Sequence, residues 1–175
     1  MSNPYTIKQI IYSDLQLRVQ LCEEVLTQGR AMQGSNSVSV HVRKFVEDSS
    51  TLQNNLDIDY YERSFKLIRQ RINKPIFYIF SEPNAIDSKL KAYFINNSCI
   101  FIADLASKLS TENEFYLMSK CNHYIIANST FSWWSAWLGE QSSPKSIVIA
   151  PKVFIDKGPS AWGFDGLIPD RWIQT

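Results

Sequence analysis

The chain has 175 residues, 45% hydrophobic and 13% aromatic, which suits one ordinary domain with a real core and excludes the disordered and fibrous classes. Its 18 basic and 17 acidic residues leave a net charge of +1, so bulk charge points neither to nucleic acid nor to a strongly anionic surface as partner. Cys22, Cys99 and Cys121 are odd in number and widely spaced, with no CxxC; they read as buried thiols of a reducing compartment, not as a disulfide framework or zinc site.

The amino-terminal residues lack the basic region and apolar core of a signal peptide, and no stretch reaches the length of a membrane-spanning helix. The expectation is a soluble cytoplasmic domain, in which the sequons at Asn96 and Asn128 carry no glycosylation meaning. Residues 1–11 read as a lead-in. From Tyr12 to about Arg30 the positions Leu15, Leu17, Val19, Leu21, Cys22, Val25 and Leu26 form a helical stripe, with Ser13 as its N-cap. A polar turn, Gln33-Gly34-Ser35-Asn36, leads into Ser37–Val42, whose β-branched alternation reads as a strand. Residues 43–57 form a polar loop, long enough to suggest a function. Ile58–Asn73 reads as a helix opened by Asp57, with Tyr61, Phe65, Leu67, Ile68 and Ile72 inward and Lys74-Pro75 as its stop. Ile76–Phe80 is a continuous apolar run, suited to a strand buried on both faces.

Ser81-Glu82-Pro83-Asn84 then reads as a turn opening a short helix to about Leu90. Cys99–Ile102 is the next strand. Thr111–Cys121 reads as a helix, with Thr111 and Glu114 at capping-box spacing. Tyr124–Ala127 is an apolar strand, and Asn128-Ser129-Thr130 is a polar turn. Phe131, Trp133, Trp134, Trp137 and Leu138 follow at helical spacing. After a turn over residues 141–144, Ser146–Ala150 is a further strand, ended by Pro151. In the tail, Trp162, Phe164 and Trp172 are expected to anchor the chain to the body.

Strands alternating with helices imply a parallel α/β sheet with crossover helices. Ligands of such sheets sit beyond the carboxyl ends of the strands. Three polar clusters fall at those ends: His41-Arg43-Lys44, Ser81-Glu82 and Asn128-Ser129-Thr130. The stretch from Tyr124 to Leu138 has two readings. It is either an N-cap followed by an aromatic core helix, or a cradle for a phosphate or sugar phosphate at a helix N-terminus. GxxxxGK and GxGxxG, the usual nucleotide-loop signatures, are absent from the sequence.

Several segments resemble the bacterial α-1,2-fucosyltransferases of glycosyltransferase family 11. They are Ser37–Arg43, Pro75–Ser81, Phe115–Cys121, Ile147–Lys152, Ile168–Ile173 and, most specifically, Ile125–Trp134. The likeness covers most of the chain from about residue 35 and is to the C-terminal portion of that family. It implies a Rossmann-like sheet corresponding to the donor-binding half of a GT-B glycosyltransferase. Residues 1–34 would be a lead-in and helix, and residues 35–175 the nucleotide-sugar-binding domain with its tail. The family's N-terminal half, with its Gly-rich opening, has no counterpart here. The implied reaction takes L-fucose from GDP-fucose to a galactoside acceptor, with inversion and without a metal or other cofactor, in cell-surface polysaccharide synthesis. The implied location is cytoplasmic, at most peripheral at the inner membrane.

On the family's His-x-Arg-Arg-Gly-Asp motif the resemblance aligns His41 and Arg43, with Arg43 on the donor diphosphate. It places Asn128, Ser129, Thr130, Phe131 and Ser132 on the donor as well, with Ser81 and Glu82 behind them. A guanidinium suits a diphosphate because it is permanently charged and bidentate. Lys44-Phe45-Val46 departs from Arg-Gly-Asp: the planar fork, the permissive Gly and a carboxylate are all lost. Glu82 stands where the family tends to Asp, and Ser135 where it has Gly. These departures leave a second reading open, a non-catalytic nucleotide-sugar-binding remnant or interaction module. A lone half of a two-domain enzyme would also associate with itself or with a chain supplying the other half. His41 reads as a structural hydrogen-bonding histidine rather than a base. Trp133, Trp134 and Trp137 read as core, because a sugar platform needs an exposed ring. No catalytic base is assigned.

Overall fold

The computed structural model describes residues 6–15, 20–44, 55–82, 84–105, 109–152 and 167–175. Among these residues six strands form one parallel sheet: β1 (Ser37–Val42), β2 (Ile76–Ser81), β3 (Ile100–Phe101), β4 (His123–Ile125), β5 (Val148–Ala150) and β6 (Ile173–Gln174). Their order across the sheet is β3-β2-β1-β4-β5-β6. The chain builds outward from β1 to β3, then returns to lay β4 on the other side of β1. This is the Rossmann-like arrangement, and its strand order reverses between β1 and β4.

Alternation along the strands divides the apolar residues between two cores. Phe77 and Ile79 of β2, Ile125 of β4 and Ile149 of β5 join Val38, Val40 and Val42 of β1 on one face, with Tyr60, Tyr61, Phe65, Ile68 and Phe94. The helices on that face are α3 (Ile58–Arg71) and α4 (Ser88–Asn96). Tyr78 and Phe80 of β2, Tyr124 and Val148 lie in the other core with Met32, Leu117, Met118 and Ala136. Those partners come from α2 (Glu23–Gln33), α6 (Thr111–Ser119) and α7 (Thr130–Ser142). On that face β1 carries Ser37, Ser39 and His41, all buried. A strand covered on both faces needs apolar residues in both registers, and β2 has them from Ile76 to Phe80.

Several expected boundaries move. The single helix expected from Tyr12 to Arg30 is two: α1 (Ile7–Asp14) and α2. Ser13 lies inside α1 rather than capping it; Thr6 is the N-cap, closing a capping box with Gln9. The residues read as a lead-in thus include most of α1. Of the stripe, Leu17 and Val19 lie outside the described residues, whereas Val25 is buried in α2. The helix expected from Pro83 to Leu90 instead runs from Ser88 to Asn96, because the Asp87 carboxylate accepts the Leu90 N–H and so fixes the start. Ser110, not Thr111, caps α6, accepting the Asn113 N–H. The strand expected over Cys99–Ile102 shortens to β3, since Ile102 opens the short helix α5 (Ile102–Leu105). Asp57 caps α3 as expected, accepting from Tyr60. Trp172 is buried and leads into β6, a strand the periodicity did not reveal; Trp162 and Phe164 lie outside the described residues.

Gly139 lets α7 lie tight against the end of α6 and against Tyr124 of β4. A Cβ there would stand 2.6 Å from the Ser119 carbonyl oxygen and 2.7 Å from the hydroxyl-bearing ring carbon of Tyr124. The backbone carbonyl cannot yield as a flexible side chain can. Gly139→Ala is therefore expected to lose about 1–3 kcal/mol of unfolding free energy in a urea titration, despite its better helix propensity. A variant as stable as the parent would show that this packing is slack.

Candidate functional site

The reversal of strand order brings two of the expected clusters together. β1 and β4 are neighbours, with Val40 in register with Ile125. The chain leaving β1 carries His41 and Arg43, and the chain leaving β4 reaches Asn128-Ser129-Thr130 and the first turn of α7. β2 lies on the other side of β1, with Val42 beside Ser81, so Glu82 follows at the same edge. The third cluster is thus next to Arg43.

The turn between β4 and α7 is built by Ser132. Its hydroxyl accepts the Ala127 N–H at 3.2 Å and lies 3.2 Å from the Ser129 carbonyl oxygen. Ser132 is buried, so its hydroxyl holds the turn from within. Ser135 continues this pattern, donating to the Ser132 carbonyl at 3.0 Å. Ser129 occupies the N-cap position with an extended backbone, yet its side chain makes no capping bond. The capping reading of this stretch therefore does not describe Ser129. The positive end of the α7 dipole and its first-turn N–H groups lie at the sheet's carboxyl edge without a Ser129 cap. Asn128 and Ser129 are half-buried, and Thr130 is exposed.

His41 lies on the α7 face of the sheet, its ring centroid 6.0 Å from that of Phe131, which in turn meets Phe115 edge-on. It is only 6% exposed, and its Nδ1 has no hydrogen-bond partner among the described residues. Burial, and secondarily the Arg43 charge, lowers its pKa to about 4. The imidazole is therefore neutral near pH 7. Arg43 is half-buried and forms an ion pair with Glu82. Lys44 is exposed; Phe45 and Val46, with most of the loop expected over residues 43–57, lie outside the described residues.

Two contributors escaped sequence reasoning. Tyr60 donates its hydroxyl to the Ile126 carbonyl at 2.6 Å, with the Ile149 carbonyl 3.3 Å away; Tyr61 donates to the His41 carbonyl at 3.1 Å. Both side chains are fully buried, and burial holds both phenols well above their usual pKa. Helix α3 is thus fastened to the ends of β1, β4 and β5. The only sequence signal was a pair of adjacent tyrosines, of which the helical stripe accounts for one. The second contributor is Glu140 of α7, which pairs with Arg171 and accepts the Trp172 indole N–H at 3.0 Å. Trp133 donates to the Leu167 carbonyl at 3.0 Å and packs against Trp172. Trp133 and Trp137 pack against the core yet remain half-buried, as does Trp134 between them. Among the described residues no group of three or more His, Cys, Asp or Glu is placed to hold a metal ion, and no helix is long and apolar enough to cross a membrane.

A parallel sheet in this order, with Arg43 just beyond β1 and the N-terminus of α7 just beyond β4, is a Rossmann-like α/β domain. The chain belongs to glycosyl transferase family 11, which matches it over residues 4–161. It is 31% identical over 153 residues to the O-antigen biosynthesis glycosyltransferase WbnK of Escherichia coli, covering 81% of this chain and 45% of that protein. It is also 31% identical over 144 residues to an alpha-1,2-colitosyltransferase of Escherichia coli, covering 80% of this chain and 48% of that protein. The chain thus spans about half the length of these curated relatives. No solved structure matches it.

Because His41 takes up a proton far more readily unfolded than folded, stability is expected to fall as pH drops from about 6.5 toward 4, and to be fully present above that window. The His41 contribution is on the order of 3 kcal/mol across it. His123 acts in the same direction: burial lowers its pKa, and its Nδ1 accepts the Ile147 N–H at 3.1 Å. Urea unfolding of wild type and His41→Gln at a series of pH values checks this. The variant should show the shallower slope, and parallel slopes would remove the assignment.

Proposed function

We propose that this domain is the donor half of an α-1,2-glycosyltransferase that moves L-fucose from GDP-fucose to a galactoside during cell-surface glycan synthesis. The observation that carries this reading is the strand order, which sets His41 and Arg43, at the end of β1, beside the chain that leaves β4 for the N-terminus of α7, where Phe131 packs near His41. The diphosphate of the donor sits against the first turn of α7, with Asn128, Ser129 and Thr130 at its rim and the Arg43 guanidinium on its oxygens. Ser132 takes part by shaping the turn, and Phe131 by packing against His41. The orphaned Nδ1 of His41 receives its missing partner from the bound donor, since a buried polar atom without one is costly. As the glycosidic bond breaks, negative charge builds on the departing GDP. The permanently charged Arg43 and the helix dipole stabilise that charge. Inversion at the anomeric carbon and metal independence belong to the same proposal, as does an acceptor bound from a second half or chain. Family membership, and relatives named as an O-antigen glycosyltransferase and an alpha-1,2-colitosyltransferase, support the reaction class.

Phe45 and Val46, which replace Gly and Asp of the family motif, favour a second reading: a domain that binds a nucleotide sugar without transferring it. Transfer to a galactoside acceptor separates the two.

Calorimetric titration with GDP, GDP-fucose and GDP-mannose tests the donor site. Micromolar-to-millimolar binding, tighter for GDP-fucose than for GDP-mannose, is expected, and Arg43→Ala should abolish it. Binding unchanged in Arg43→Ala would remove the phosphate role of that residue. Folded protein that gives no heat with any of the three would remove the donor site altogether.

A further inference from the structure

Arg43 and Glu82 are the first residues beyond the last rung of the β1–β2 ladder, which pairs Val42 with Ser81. Glu82 Oε1 engages Arg43 Nη1. The pair is only partly shielded, with the arginine side chain 37% and the glutamate side chain 51% exposed, so solvent and salt weaken it. β2 and β4 lie on opposite sides of β1. Glu82 therefore holds the guanidinium toward β2, whereas the first turn of α7 follows β4. A carboxylate and a phosphate compete for the same guanidinium donors.

We propose that Glu82 is a built-in competitor at the donor site. Its carboxylate occupies Arg43 in the ligand-free domain and is displaced by the diphosphate of the incoming donor. This rests on the reading of Arg43 as the diphosphate ligand. Displacement leaves the Glu82 carboxylate without its cation and close to a second anion. An anion offsets that loss only if it reaches the α7 N-terminus and Arg43 together. A diphosphate carries more charge and length for that than a single phosphate or a simple monoanion. Glu82 therefore adds a cost that every ligand of Arg43 must offset on entry, and so acts on binding rather than on the bond that breaks. It leaves donor discrimination by the sugar untouched.

The experiment is calorimetric titration of inorganic pyrophosphate and of orthophosphate into four proteins: wild type, Glu82→Gln, Arg43→Ala and the double variant. Both positions are at the surface, and circular dichroism checks the folding of each protein. Glu82→Gln is expected to bind pyrophosphate about fivefold tighter than wild type, with a gain for orthophosphate no larger than that. Arg43→Ala should not bind, and adding Glu82→Gln to it should restore nothing. Unchanged or weaker pyrophosphate binding in Glu82→Gln, with binding still dependent on Arg43, overturns the proposal while the donor reading stands; weaker binding would make Glu82 a positioning residue for Arg43. An equal gain in the Arg43→Ala background would mean simple charge repulsion and also overturns it. Folded proteins that all fail to bind pyrophosphate overturn the donor reading and this inference together.

Discussion

Two tyrosine hydroxyls fasten the carboxyl edge of the sheet. The parallel ladder of β4 and β5 is only a few residues long, so the chain beyond it needs other donors for its buried carbonyls. Tyr60 reaches the Ile126 carbonyl just past β4, and Tyr61 reaches that of His41 near the end of β1. Both come from the first turn of α3, whose own start is set by the Asp57 cap. The two strands that bracket the switch point are therefore held by one rigid turn of helix. Without that fastening the relative height of His41 and the Asn128-Ser129-Thr130 turn would be set by short ladders alone.

Polar chemistry is divided between the inside and the outside of this edge. Ser132, Ser135 and the tyrosine hydroxyls are buried and spend their hydrogen bonds on backbone groups, so they fix shape. Arg43, Glu82 and Thr130 remain open to solvent to differing degrees and carry the charge and hydroxyl that a ligand can meet. His41 belongs to neither group: it is as buried as the first and, among the described residues, lacks a partner for one nitrogen. A neutral imidazole at that place can donate or accept one bond without adding charge to a basic corner, which suits recognition better than proton transfer.

The architecture was legible because parallel strands covered on both faces leave an unambiguous apolar run, as Ile76–Phe80 does. β1 was legible from alternation and has the expected bounds. What periodicity does not encode is which side of β1 the later strands occupy. The site clusters could be listed in sequence, but that β4 rather than another strand flanks β1 is a tertiary fact. Helix starts slipped by a few residues because several Ser, Thr and Asp residues could serve as caps, and only packing selects among them, as at Ser110 over Thr111. β6 was invisible because two residues carry no period, and its place depends on Trp172 and the Glu140–Arg171 pair. The ion pair between Arg43 and Glu82 joins positions 39 residues apart, which no local pattern can report.

Both rims of the sheet are short. β3 and β6 contribute two residues each, and β5 pairs with β6 only through Ile149 with Ile173 and Ala150 with Gln174. A rim that brief offers almost no template for an incoming strand, whether from another protein or from a misfolded copy. Short edge strands are one means by which a sheet discourages strand addition, so companions of this domain are expected on its helices or loops. That device works through the length of the rim rather than through charges placed along an edge.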